Sequence, residues 1–319
     1  LLGEALRQPA FPHRPVERLR TQLLTGLAIR AQDTSEMASL AFDQMVYAGH
    51  PYSRPDDGYP ETIQAISMAD LAAFHAHHYG PRGLVLAIAG AVEPPRAVEQ
   101  VARALGDWRN PEQPDAPALP PLSPLEGIVT RHVELPGKNE ADLLMGVAGP
   151  PRRSPDFLAA SLGNHILGQF GMFGRIGKVV REQAGLAYSV SSSLSGGIGP
   201  SPWLVSAGVA PENMAQAIEL IRAEIARFVS QPVSAEELAD SQANYIGRLP
   251  LSLESNGGVT GALLSLERYG LGLDYYQRFE GLVRAVTPGE VLEAARRYLH
   301  PDRLAIATAG TFSPGEAAE

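Results

Sequence analysis

The strongest constraint on this chain is that it repeats itself. Residues 66–90 (ISMADLAAFHAHHYGPRGLVLAIAG) return 220 positions later as residues 286–310 (VTPGEVLEAARRYLHPDRLAIATAG). Ser67 answers to Thr287, Asp70 to Glu290, Leu71 to Val291, Pro81 to Pro301, Leu84 to Leu304, Leu86 to Ile306 and Gly90 to Gly310. Both copies have the same physical content. A Ser or Thr with an acid three residues later is a capping box that opens a helix. A proline then stops the helix, and an alternating apolar run predicts a strand ending at the glycine. Self-similarity at this period calls for two units of one kind. On the same offset Leu1 corresponds to Ile221, so the first domain is expected to lack an N-terminal half of roughly 90 residues. A half-domain of that kind would leave a sheet edge without a partner.

The boundary between the units reads directly from composition. Residues 110–126 (NPEQPDAPALPPLSPLE) hold six prolines and no glycine, which removes backbone donors and stiffens the chain into an extended linker. The expected domains are therefore 1–109, the linker 110–126, and a complete second domain 127–319. Apolar residues at helical spacing predict helices over 16–30, 35–48, 155–167, 213–230 and 234–249, the last opened by Ser234 with Glu237. Period-two patterns predict strands over 128–135, 141–148, 187–194 and 203–209. Strands and helices alternate irregularly, and no phosphate-binding glycine loop follows a strand. The fold class is α+β rather than a doubly wound nucleotide fold.

Composition removes several classes of function. The formal net charge is −9, and the 26 basic residues (24 Arg, with Lys138 and Lys178) form no cluster, so nucleic acid is not the expected partner. With no cysteine, disulfides, thiol nucleophiles and Cys-ligated zinc or iron–sulfur centres are excluded. The longest apolar runs fall far short of the ~18–20 residues that span a bilayer, so no membrane span is expected. Periplasm and cytoplasm both remain open.

The densest candidate for chemistry is 167–193, LGQFGMFGRIGKVVREQAGLAYSVSSS. Glycines at 168, 171, 174 and 177 lead into a short basic helix, then Gly185, Leu186, Tyr188 and a serine-rich strand. The longer run 149–194 that contains it, with FPHRPVERLRTQLL (11–24), the run 47–90 and the tail 286–310, resembles the pitrilysin, insulinase and mitochondrial-processing-peptidase family of zinc metallopeptidases. The family's domains, of about 200–220 residues, agree with the repeat offset.

The resemblance implies tandem α+β domains, each an antiparallel-rich sheet of about six strands when complete, covered by helices. It also implies a divided catalytic apparatus. The N-terminal-type domain carries His-x-x-Glu-His on a helix, where two His at i and i+4 bind zinc and the Glu is the general base; a second Glu follows about 75 residues on. The C-terminal-type domain contributes an Arg and a Tyr seven residues apart, which hold the substrate backbone and the developing oxyanion. Arg181 and Tyr188 match that pair. Gly168, Gly171 and Gly174 resemble the glycine-rich, peptide-handling loop of noncatalytic subunits.

The zinc site is where the chain departs from the family. His-x-x-Glu-His occurs nowhere in the sequence, the second Glu aligns near Gly26, and residues 18–35 contain no Glu. Glycine cannot ligate zinc, and Glu17 stands about nine residues too early. The expectation is a noncatalytic subunit with no metal of its own. Its partners would be a homologous zinc-bearing peptidase subunit and a peptide substrate. Two other readings stand beside it: an active zinc peptidase whose His-x-x-Glu-His half is missing from this chain, and a non-peptidase scaffold subunit of the same fold. Among the histidines, His75 and His78 share a helix face but sit at a helix C-terminus, where cations are favoured by the dipole. His165 is expected to be packed or half exposed. Trp108 and Trp203 are expected to fill core or interface.

Overall fold

A computed structural model gives the fold; the structure describes residues 1–170 and 173–312. In chain order the helices are α1 (Leu2–Arg7), α2 (His13–Arg30), α3 (Thr34–Val46), α4 (Pro60–Ala65), α5 (Met68–His78), α6 (Pro94–Leu105), α7 (Phe157–Asn164), α8 (Met214–Ser230), α9 (Ala235–Ser252), α10 (Asn256–Tyr269), α11 (Tyr275–Ala285) and α12 (Pro288–Tyr298). The strands are β1 (Val129–Glu134), β2 (Ala141–Ala148), β3 (Ala187–Leu194), β4 (Pro202–Val209) and β5 (Ala305–Gly310). The class is α+β, as expected. The predicted strands and long helices of 127–319 are present within a few residues of their expected ends.

The chain divides into two compact units that interleave along the sequence. One comprises residues 1–29, 55–119 and 250–268; the other comprises 30–54, 120–249 and 269–319. The exchange follows the repeat, since 30–54 shifted by 220 becomes 250–274. The proline-rich stretch has no helix or strand, and its residues 110–119 and 120–126 fall in different units.

The larger unit is built on a five-stranded sheet of order β1-β5-β2-β4-β3. β1 pairs parallel with β5, and the other pairings are antiparallel. Side chains alternate between the faces of a strand, and β2 and β5 use both. Leu143, Met145, Leu304 and Ile306 face a core with Leu162 of α7, Ile221, Ile225 and Phe228 of α8, and Ala294 of α12. Leu144, Ala305, Ala307 and Ala309 face Ala38, Ala41 and Phe42 of α3. β5 is buried along its whole length. This explains its run of small and branched residues: a strand covered on both faces has no polar side to show.

The smaller unit is helical. Arg7 donates to the Ala104 carbonyl (3.0 Å) and pairs with Asp107 (2.6 Å), tying α1 to the end of α6. Asn110 Nδ2 donates to the Ala76 and Tyr79 carbonyls (2.8 and 2.9 Å), closing the end of α5. Both repeat copies form the expected capping box. Ser67 Oγ accepts from Asp70 N (3.1 Å) and Thr287 Oγ1 accepts from Glu290 N (3.2 Å), with the acid returning to the cap N–H at 2.8 Å in each case. The strand expected after the first copy does not form: residues 84–89 carry no ladder. A strand is defined by its neighbours, and among the described residues this segment pairs with none, whereas its counterpart β5 is paired on both edges.

Candidate functional site

The candidate site grows from the junction of α7 with the stretch that follows it. α7 passes without a break into a π-helical turn, His165–Gln169, and a second π-helical turn, Gly177–Gln183, precedes β3. Widened turns of this kind are rare and concentrate at functional sites. Two described glycines of this stretch make close backbone approaches. A Cβ on Gly174 would lie 2.6 Å from Gly168 Cα, and one on Gly168 would lie 2.9 Å from the Ser192 backbone N of β3. Both glycines are buried, so each is required by close backbone packing. Gly171 lies outside the described residues. Phe170 and Phe173 flank the segment, both exposed, with ring centroids 5.9 Å apart.

The segment is anchored at its far end. Arg175 Nε and Nη2 each donate to the Glu237 carboxylate at 2.7 Å, and the guanidinium lies over the Phe228 ring. Glu237 also accepts from Ser234 N (2.8 Å) as part of the box that opens α9. The Arg175 hydrogen bonds hold its carboxyl down at about 2. Beneath the segment, Asn164 is 1% exposed and its Oδ1 has no partner; His165 is buried against Phe170 and Tyr245 with Nε2 unpaired. Burial lowers the His165 pKa.

Gly185, in the left-handed region at φ +66°, turns the chain from the second π-helix into β3; a glycine adopts this φ without the steric cost of a Cβ. β3 is one of the two edge strands of this sheet. Ala187 pairs with Val209 and Ser189 with Gly208, so Tyr188 is the extra residue of a β-bulge. A bulge breaks the alternation of faces and re-aims one side chain. Tyr188 is 79% exposed and Ser189 after it is exposed as well, two consecutive outward side chains where regular alternation allows one. Arg181 is exposed on the second π-helix, one turn before Gly185. Among the described residues neither Arg181 nor Tyr188 has a side-chain hydrogen bond or ion pair. A free phenol can donate to a developing oxyanion, and a free guanidinium offers a fork of donors to backbone carbonyls.

The remaining sequence candidates have structural employment. His75 Nε2 lies 2.8 Å from the Leu6 carbonyl. His50 is buried and its Nδ1 accepts from Tyr52 N (3.1 Å). Trp108 and Trp203 are both buried. Gly26 sits exposed on α2 with open space where a Cβ would stand, and Glu17 pairs with Arg20 at 3.2 Å. Among the described residues no three His, Cys, Asp or Glu side chains converge to hold a metal ion, so the residues present do not fit a zinc site. No described helix is long and apolar enough to cross a membrane. Sequence reasoning missed Arg175, whose partner stands 62 residues away, and the bulge at Tyr188, which depends on the register of β4.

Residues 65–245 match the family model described as the peptidase M16 inactive domain. An uncharacterised zinc protease of Streptomyces coelicolor is 28% identical over 289 residues, covering 88% of this chain and 61% of the relative. The chain thus spans about three-fifths of that relative's length. The non-peptidase homolog YmxG of Helicobacter pylori is 23% identical over 297 residues, covering 91% of this chain and 66% of the homolog. The crystal structure of a peptidase M16 inactive domain from Pseudomonas fluorescens superposes with a TM-score of 0.88 at 28% identity, covering 99% of this chain and 75% of that one.

Proposed function

The chain belongs to the peptidase M16 family, matched through that family's inactive domain, and from this premise we propose that it is the noncatalytic subunit of a heteromeric zinc metallopeptidase. Zinc and the general base belong to a homologous partner subunit. This chain binds the peptide substrate and contributes Arg181 and Tyr188. The observation that carries the reading is the bulge, which turns an exposed, unpartnered tyrosine out of an otherwise regular edge strand. Arg181 holds the substrate backbone through its carbonyls. Tyr188 donates a hydrogen bond to the oxygen on which charge develops, a contact that strengthens as the carbonyl becomes an oxyanion. Gly168, Gly171 and Gly174 belong to the peptide-handling segment.

Removing one preorganised oxyanion donor costs about 10²–10³ in kcat. Tyr188→Phe in the assembled complex is expected to lose that much with assembly intact, and an unchanged kcat overturns the role. A second reading, a scaffold without peptidase work, is favoured by the likeness to the Helicobacter non-peptidase homolog. It requires Arg181 and Tyr188 to be dispensable, so the same variant separates the two.

A further inference from the structure

The larger unit contains a cavity of about 260 Å³ whose lining residues all lie outside 164–194. Its apolar wall is made by Val46 at the end of α3, Val147 near the end of β2, Leu122 and Leu125 of the proline-rich stretch, Pro151 and Pro200. This wall is held from behind. Leu122 and Leu125 pack on the core around Phe42 and Leu144. Buried Tyr47 donates to the Pro200 carbonyl (3.1 Å), and Gly149 N donates to the Ser201 carbonyl (2.7 Å). The charged part of the lining is all cationic. Arg297 and Tyr298, at the end of α12, both donate to Asp156 (2.7 and 3.3 Å), so the Arg297 charge is balanced. The Arg303 charge is not. A turn closed by Arg303 N donating to the His300 carbonyl (2.9 Å) sets Arg303, exposed, at the cavity. Among the described residues its guanidinium has no hydrogen bond or ion pair, and no Asp or Glu lines the cavity. Half-buried His300 registers the excess charge: its pKa is lowered by burial first and by Arg303 next.

We propose that this cavity binds a small apolar monocarboxylate, with its carboxylate on Arg303 and its hydrocarbon chain against Val46, Leu122, Leu125 and Val147. The charge follows from the bookkeeping of the lining. One uncompensated guanidinium presents a fork that matches one carboxylate. A phosphate group, at about −2 near neutral pH, would exceed that single charge. The size follows from the volume. At the ~30 Å³ that a water takes in the liquid, the cavity holds about nine groups of that size, which is close to octanoate. Removing the chain from water supplies most of the affinity, and the guanidinium selects for the charge. This inference is independent of the roles of Arg181 and Tyr188.

Titration calorimetry on the full chain tests it, with octanoate standing for a free aliphatic acid and N-acetyl-leucine for a peptide C-terminus. At least one is expected to bind at one site per chain with a Kd of about 0.1–1 mM, and the tighter of the two identifies the source of the carboxylate. Acetate keeps the charge and loses the chain; octanamide and N-acetyl-leucinamide keep the chain and lose the charge. Each is expected to bind at least about 10-fold more weakly than its parent acid. Arg303→Gln is expected to weaken the carboxylate about 10–100-fold and to leave the amides unchanged, with a thermal melt like that of wild type because the side chain has no described partner. Failure of both carboxylates to bind at about 10 mM overturns the proposal. So does equal affinity for an acid and its amide, or wild-type binding by Arg303→Gln, either of which would mean apolar partitioning without a carboxylate site.

Discussion

Arg175 and Glu237 meet fork to fork, each nitrogen–oxygen contact at 2.7 Å, and so fasten the residue after Gly174 to the first turn of α9. Both groups are part-buried. Bidentate charge-assisted pairs in such settings are among the stronger hydrogen bonds. Glu237→Gln is expected to cost about 1–3 kcal/mol at neutral pH, read as a lower urea midpoint. The carboxyl's folded pKa, about 2, lies below its ordinary 4.5. Its contribution is therefore present above that ordinary value and lost as the pH falls from there toward 2. The difference between wild type and Glu237→Gln should shrink across that window, and a difference independent of pH would contradict the assignment.

Gly168 and Gly174 are expected to be intolerant for reasons of space. Gly168→Ala would press a methyl onto the Ser192 backbone, and Gly174→Ala onto Gly168 itself. Neither neighbour is a flexible side-chain tip, so each is expected to cost about 1–3 kcal/mol. Gly26→Ala is the control: the position is helical, exposed and open, and alanine there should stabilise by about 0.5–1 kcal/mol. Thermal melts of the three variants check the contrast.

Tyr188→Phe is expected to leave stability within about 0.5 kcal/mol of wild type, because the side chain is exposed and its hydroxyl has no described partner. Val190→Ala, two residues on and buried in the sheet's core, is expected to cost about 1–3 kcal/mol. Equal melting shifts for the two would mean that the tyrosine is a structural residue.

The two capping boxes make a matched pair. Ser67→Ala and Thr287→Ala each remove an acceptor for the N–H three residues on, at about 1 kcal/mol apiece. Chemical denaturation that follows the two units by separate probes should place each loss in its own unit.

What the sequence disclosed depended on how local the cause was. β2 is legible to its end residues because its apolar run sits between turn signals at Gly137 and Gly149. The caps at Ser67, Ser234 and Thr287 are legible because donor and acceptor are three residues apart. The strand expected at 84–89 had every local mark of one and failed for want of a neighbour, which is a tertiary fact. The bulge at Tyr188 needs β4 to define it, and the arginine that fastens the glycine segment needs α9. The destination of α3 was equally hidden, since its apolar face says only that it packs, and not on which sheet.

The interleaving of the chain also decides how it can be inherited and cut. The polypeptide passes from one unit to the other five times. A cleavage or gene fusion at the proline-rich stretch, the obvious place to divide the protein, would carry away α3 with the first piece and α10 with the second. Each piece would leave behind a helix that the other's fold calls for: 127–319 alone would bare Ala305, Ala307 and Ala309 to water. The two copies of the repeat have thus become hostages to one another. Units whose helices are interleaved along one chain in this way must be copied, shuffled or engineered together.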